Sequence, residues 1–161
     1  DKDQHTPLHL AALKGYEAVV QVLVAAGANL EGRNKGQYTP LHQAAWNGKE
    51  AAIQALVAAG ANLEAQDKRQ YTPLHCAASL GHEAAVQALV AAGANLGAQE
   101  KDQCTPLHLA ALKGHEAAVQ ALVAAGANLE AQDKDQHTPL HLAALKGYEA
   151  VVQVLVAAGA N

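Results

Sequence analysis

The sequence predicts an all-α solenoid of stacked helix–turn–helix units, and three observations carry that prediction. The tetrapeptide Thr-Pro-Leu-His begins at Thr6, Thr39, Thr72, Thr105 and Thr138, each 33 residues after the last, with no insertion or deletion. A second marker, Gly-Ala-Asn, starts at Gly27, Gly60, Gly93, Gly126 and Gly159 with the same period. The 161 residues contain no Phe, no Met, one Trp and four Tyr, while Ala recurs throughout. Small side chains cannot fill a wide core, but they let helices approach closely in a thin layered stack. The period divides a single repeat domain, residues 1–161, into units 1–33, 34–66, 67–99, 100–132 and 133–161; residues 1–29 and 133–161 are identical.

The first unit shows why each element forms. Thr6 is a good N-cap, because its hydroxyl can accept from a backbone N–H of the first helical turn. Pro7 follows at the first helical position, where a missing N–H costs nothing. Leu8, Ala11 and Ala12 make an apolar stripe at helical spacing, and Gly15 ends the helix. The second helix runs from about Glu17, whose carboxylate suits the positive helix end, to Ala26. Its stripe is Val19, Val20, Leu23 and Val24, and Gly27 stops it. Residues from Ala28 to Gln37 read as an extended, turn-rich connection. Helices of about 8–10 residues are marginal alone, so stability must come from stacking one unit on the next. With a neighbour on one side only, Leu8 should contribute less than the interior Leu107.

Charge and cysteine usage exclude several function classes. The formal net charge is −4, with Lys, Asp and Glu interleaved. No basic block suited to phosphates occurs, so no nucleic-acid partner is expected. No apolar run approaches the ~20 residues that span a bilayer, so no membrane partner is expected either. Two Cys make no disulfide framework. The expected setting is intracellular and cytoplasmic, and the start at Asp1, without Met or signal peptide, suggests trimming.

Thr-Pro-Leu-His-x-Ala-Ala, a Gly eight residues after the Pro and a later Gly-Ala-Asn together resemble the ankyrin repeat family. The resemblance covers the whole chain. It implies helix pairs in an L-shaped stack with β-turn fingers projecting at right angles, and a concave groove of fingers and first helices that binds another protein. It also implies a scaffold without enzymatic activity or cofactor. Two departures stand out. Gln4, Gln37, Gln70, Gln103 and Gln136 occupy the finger position where the family has Gly, so the turn is expected to differ from the usual type. Asn29, Asn62, Asn95, Asn128 and Asn161 replace the family's Asp, keeping the turn-forming side chain but dropping a charge.

Residue types that often carry chemistry have structural readings here. His9, His42, His75, His108 and His141 belong to the tetrapeptide; in the family this imidazole bonds the Thr hydroxyl and neighbouring backbone. His5 with His9, and His137 with His141, have a ligand-like spacing, but no Cys or carboxylate is expected to complete either set, so no metal is expected. Cys104, at a finger position, is expected to be exposed. Neither it nor Cys76 has a base and an oxyanion hole in view. The glycines stand singly and form no phosphate loop. Glu17, Glu50, Glu83, Glu116 and Glu149 are explained by helix N-termini.

The units differ mainly in the fingers and at the ends of the first helices. One column reads Asp3, Gly36, Arg69, Asp102, Asp135; another reads His5, Tyr38, Tyr71, Cys104, His137. The helix ends read Leu13–Lys14, Trp46–Asn47, Ser79–Leu80, Leu112–Lys113 and Leu145–Lys146. Both Arg, the only Trp and both finger tyrosines gather in or beside the second and third units. Trp, Tyr and Arg bury much area and still offer polar tips, as binding hot spots require. The expected partner-binding set is therefore Arg33, Gly36, Tyr38, Trp46, Asn47, Arg69, Tyr71, Ser79 and Leu80. The terminal units lack polar outer faces, and Val19 and Val22, or Val151 and Val154, stand where interior units carry Ala. Exposed valines at both ends, and head-to-tail self-association through them, are expected.

Overall fold

A computed structural model describes residues 1–161. It contains ten helices and no strand: α1 (Pro7–Lys14), α2 (Glu17–Ala25), α3 (Pro40–Trp46), α4 (Glu50–Ala58), α5 (Pro73–Ser79), α6 (Glu83–Ala91), α7 (Pro106–Leu112), α8 (Glu116–Ala124), α9 (Pro139–Lys146) and α10 (Glu149–Ala157). Odd helices pack on odd and even on even along the stack, and each odd helix also packs on the even helix that follows it. The all-α solenoid is therefore as the period implied.

Every odd helix starts in the same way. The hydroxyl of Thr6, Thr39, Thr72, Thr105 or Thr138 accepts the backbone N–H of the His three residues on, and that His ring accepts the Thr N–H in return. Two of the helix end's orphan donors are thereby satisfied together. The other ring nitrogen reaches the next unit. His9 Nε2 lies 2.8 Å from the Tyr38 carbonyl and His42 Nε2 2.8 Å from that of Tyr71. His75 and His108 repeat the contact with Cys104 and His137 at 2.9 Å. The tetrapeptide thus caps its own helix and fastens the following finger.

Stacking also needs glycine. Gly48, at φ 66°, has the imidazole of His82 so close that a Cβ would lie 2.7 Å from its Nδ1. That ring then donates from Nε2 to the Trp46 carbonyl at 3.0 Å. Only a residue without a side chain lets the next unit approach this near.

The fingers are closed by their first residue. Asp1, Asn34, Asp67, Glu100 and Asp133 each accept two backbone N–H groups, from residues two and four places on. The expectation of an altered turn at Gln is not met: all five Gln hold positive φ, from 60° to 65°. The two side-chain bonds and the Gln N–H bond back to the first carbonyl fix the turn. They hold Gln in the left-handed region that Gly would occupy more easily.

Burial corrects three further expectations. Leu8 is as buried as Leu107, both 1% exposed. Its column faces the following unit, which the first unit has. The column facing the preceding unit is different: Leu10 is 45% exposed while Leu109 is 5% exposed. For the same reason Val19 and Val22 are exposed, but Val151 is buried and Val154 half-buried. The large exposed hydrophobic residues of the fifth unit are instead Leu145, Tyr148 and Val156. Cys104 is buried, in a finger whose backbone is held at this residue from both sides, its carbonyl by His75 and its N–H by Glu100.

Candidate functional site

The chemistry-bearing groups that are buried serve the fold. Burial pushes the Cys104 thiol up to about 12, with the Glu100 and Asp133 carboxylates adding to the rise. Cys76, fully inside α5, is raised further for the same leading reason. A thiol held protonated is a poor nucleophile and a poor ligand. Carboxylates do approach the two paired histidines, contrary to the sequence expectation. Asp1 Oδ2 lies 2.8 Å from His5 Nδ1, and Asp133 Oδ2 3.8 Å from His137 Nδ1, with Asp135 completing a cluster. The other oxygen of Asp133 is committed to its finger, accepting from Asp135 and His137. The sequence reading missed these acids because the turn, not helical spacing, brings them together.

The face made by fingers and odd helices carries the units' differences. At its second unit, Tyr38, His42, Gln43 and Trp46 line a shallow pocket of about 170 Å³. The rings of Tyr38 and Trp46 are 6.3 Å apart and tilted by 40°, so finger and helix end form one aromatic wall. Trp46 is 40% exposed. Gly36 makes room for this arrangement, since a Cβ there would sit 2.5 Å from the Tyr38 ring.

The other expected residues divide by what they touch. Tyr71 is half-buried with its ring 5.6 Å from that of His75. Burial raises the phenols of both Tyr38 and Tyr71, keeping them neutral. The Arg33 guanidinium donates to the Gln37 carbonyl at 3.0 Å and also to that of Gln66, bracing the second finger against the next unit. Arg69 is exposed at its fingertip, with its N–H on Asp67 Oδ1 at 2.7 Å. Asn47 ends α3 and donates from Nδ2 to the Gln43 carbonyl at 2.8 Å. Ser79 is buried and its carbonyl accepts from His115, while Leu80 beside it is exposed. Tyr38, Trp46 and Gly36 are thus brought into one site; Asn47 and Ser79 mainly hold the framework.

No helix is long and apolar enough to cross a membrane. No curated protein matches the chain. The family model for ankyrin repeats, in three copies, matches at residues 1–67, 34–100 and 74–161. Ankyrin repeats are in general protein–protein interaction modules and a non-enzymatic family. With matches running from the first residue to the last and a capped helix pair at every period, the chain belongs to the ankyrin repeat family.

Proposed function

We propose that residues 1–161 act as one repeat domain, in units 1–33, 34–66, 67–99, 100–132 and 133–161, and hold another protein without catalysing a reaction. The binding face is that of the fingers and odd helices, centred on the second and third units. Tyr38, Trp46 and Leu80 supply apolar contact, Arg69 and Tyr71 polar tips, and Gly36 access, while Arg33, Asn47 and Ser79 hold the wall. The carrying observation is the Tyr38–Trp46 pocket, where the chain's one Trp stays 40% exposed on a rigid, capped helix end. Loop residues on a rigid frame are the usual carriers of binding. A photo-crosslinking amino acid placed at position 46, and in a second protein at the outer-face position 120, tests this in extract of the source cells. One protein should be captured from 46 and not from 120; equal capture from both would refute the placement.

A second reading, head-to-tail self-association, is favoured by one observation. Leu10, Val19 and Val22 are uncovered, whereas Leu142, Val151 and Val154, in an identical stretch, lie against the fourth unit. The fifth unit offers the fourth unit's packing types again: Leu140, Ala144, Gly147, Val152 and Val156 for Leu107, Ala111, Gly114, Val119 and Val123. A second copy whose Asp1 followed Asn161 after four missing residues would keep the 33-residue register. Contacts of this kind propagate as filaments. Light scattering of residues 1–161 should show mass growing with concentration, and Val19→Asp should abolish the growth. A strict monomer at millimolar concentration overturns the reading.

A further inference from the structure

The fingers do not carry equal charge. Each is five residues long with Lys second, at Lys2, Lys35, Lys68, Lys101 and Lys134. In fingers 1–5, 100–104 and 133–137 that Lys stands between two acids, leaving one net negative charge. Finger 34–38 has Asn34 and Gly36 in the acidic places, and finger 67–71 has Arg69 in one of them, so each carries one net positive charge.

The geometry turns this difference into an unneutralised patch. Lys134 Nζ lies 2.7 Å from Asp102 Oδ1, the third residue of the finger before it. Its backbone N–H meets the Asp102 carbonyl at 3.0 Å, and Lys101 repeats that register on the Arg69 carbonyl at 3.1 Å. The residue matching Asp102 is therefore Arg69 for Lys101 and Gly36 for Lys68. Neither offers a carboxylate; Lys35 has Asp3 in that place, its N–H meeting the Asp3 carbonyl at 2.9 Å, yet Lys35, Lys68, Arg69 and Lys101 make no ion pair. Of the acids in these fingers, Asp67 and Glu100 are buried and accept backbone N–H groups, and Asp102 is paired with Lys134. Lys35 and Lys68 rim an open hollow of about 370 Å³ that also includes Asp3, at its first-unit side. Tyr38 and Gln43 belong both to this hollow and to the aromatic pocket, so cationic rim and apolar floor are continuous.

We propose that the segment held here is a short acidic stretch of a partner protein, whose carboxylates meet Lys35, Lys68, Arg69 and Lys101 and whose central apolar side chain fills the Tyr38–Trp46 pocket. The proposal rests on the groove reading above. Single exposed ion pairs contribute little, but complementary potentials steer encounter and reject wrong partners. The whole chain carries a net charge of −4 with these positive fingers included, so the remainder is more negative still and disfavours an acidic segment there.

The probe is a random 12-residue peptide display library selected against residues 1–161, with a 20-nucleotide single strand of DNA as a separate ligand. Two variants borrow residues already present in other units. Asn34→Asp with Arg69→Asp makes finger 34–38 neutral and finger 67–71 net negative, and Trp46→Leu removes the aromatic wall. Enriched peptides should be net acidic around an aromatic or aliphatic residue. They should weaken at least tenfold in the double variant and in Trp46→Leu, weaken with salt, and leave urea midpoints unmoved. Neutral or basic winners, no enrichment, or tighter binding of the DNA strand overturns the acidic segment. Binding lost in Trp46→Leu but kept in the double variant overturns it while sparing the groove. Binding kept in both variants overturns the groove placement as well.

Discussion

His75 Nε2 donates to the carbonyl of Cys104, 29 residues further along, while its Nδ1 accepts the Thr72 N–H at 3.1 Å. Only the neutral ring can do both. Protonation would set an Nδ1–H against the Thr72 N–H and leave a charge in the core. Burial accordingly lowers the His75 value from 6.5 to about 4, against the opposing pull of the Cys104 and Ala98 carbonyls. His9, His42 and His108 are lowered too, with burial the leading cause.

The first prediction follows from that sign. Between pH 6.5 and about 4 the unfolded chain binds a proton at residue 75 that the folded chain does not. The stability involved is complete above pH 6.5 and disappears as pH falls toward 4, on the order of 3 kcal/mol for this ring. Urea midpoints should be flat from pH 8 to 7 and drop steadily below 6.5. By NMR the His75 ring should stay neutral from pH 7 to 5; titration near 6.5 would contradict the account.

The second prediction concerns the fingers. Gln70 holds φ 64° with an exposed side chain. The left-handed region costs an L-residue about 1–2 kcal/mol, and Gly forfeits about 0.5–1 kcal/mol through its freer unfolded chain. Gln70→Gly should therefore raise stability by roughly 0.5–1 kcal/mol in urea denaturation. A loss would mean that the Gln side chain holds its turn.

The third prediction compares one residue type at one position of two units. Leu109→Ala opens a cavity between α5 and α7 and should cost about 2–5 kcal/mol. Leu10→Ala, on an uncovered face, should cost about 1 kcal/mol or less at micromolar concentration. Equal losses would mean that the face at Leu10 is covered in solution.

The fold was legible because four separate signals repeat in phase: Thr cap, Pro, apolar stripe and Gly stop. Each has a local cause, and the 33-residue period multiplies it. Burial was less legible. Nothing in the stretch around Leu10 and Val19 tells which neighbour it faces, since the fifth unit has the same residues and covers them. The Cys104 side chain was misplaced because finger positions were read as exposed loop, although the carbonyl of the same residue is what His75 grips. The Tyr38–Trp46 wall was only half legible. Residue types and spacing brought the two rings to the same face, but that they share one pocket depends on how finger and helix end meet.

The last prediction separates binding from folding at that wall. Trp46 is exposed beyond its contact with Tyr38, and its backbone carbonyl, not its ring, accepts from His82. Trp46→Ala should therefore leave the urea midpoint almost unchanged while weakening partner binding by about 2 kcal/mol or more, as truncation of a buried aromatic anchor does. Tyr71 is different, because its ring packs against the core and lies beside His75. Tyr71→Ala should weaken binding by a similar amount and also lower stability by about 1–3 kcal/mol. Lys113→Ala, at the exposed end of α7, should do little to either. Affinity and urea melts on the three variants form the check. If Trp46→Ala binds like the parent, the aromatic pocket is not the anchor, and the fourth and fifth units become the place to look.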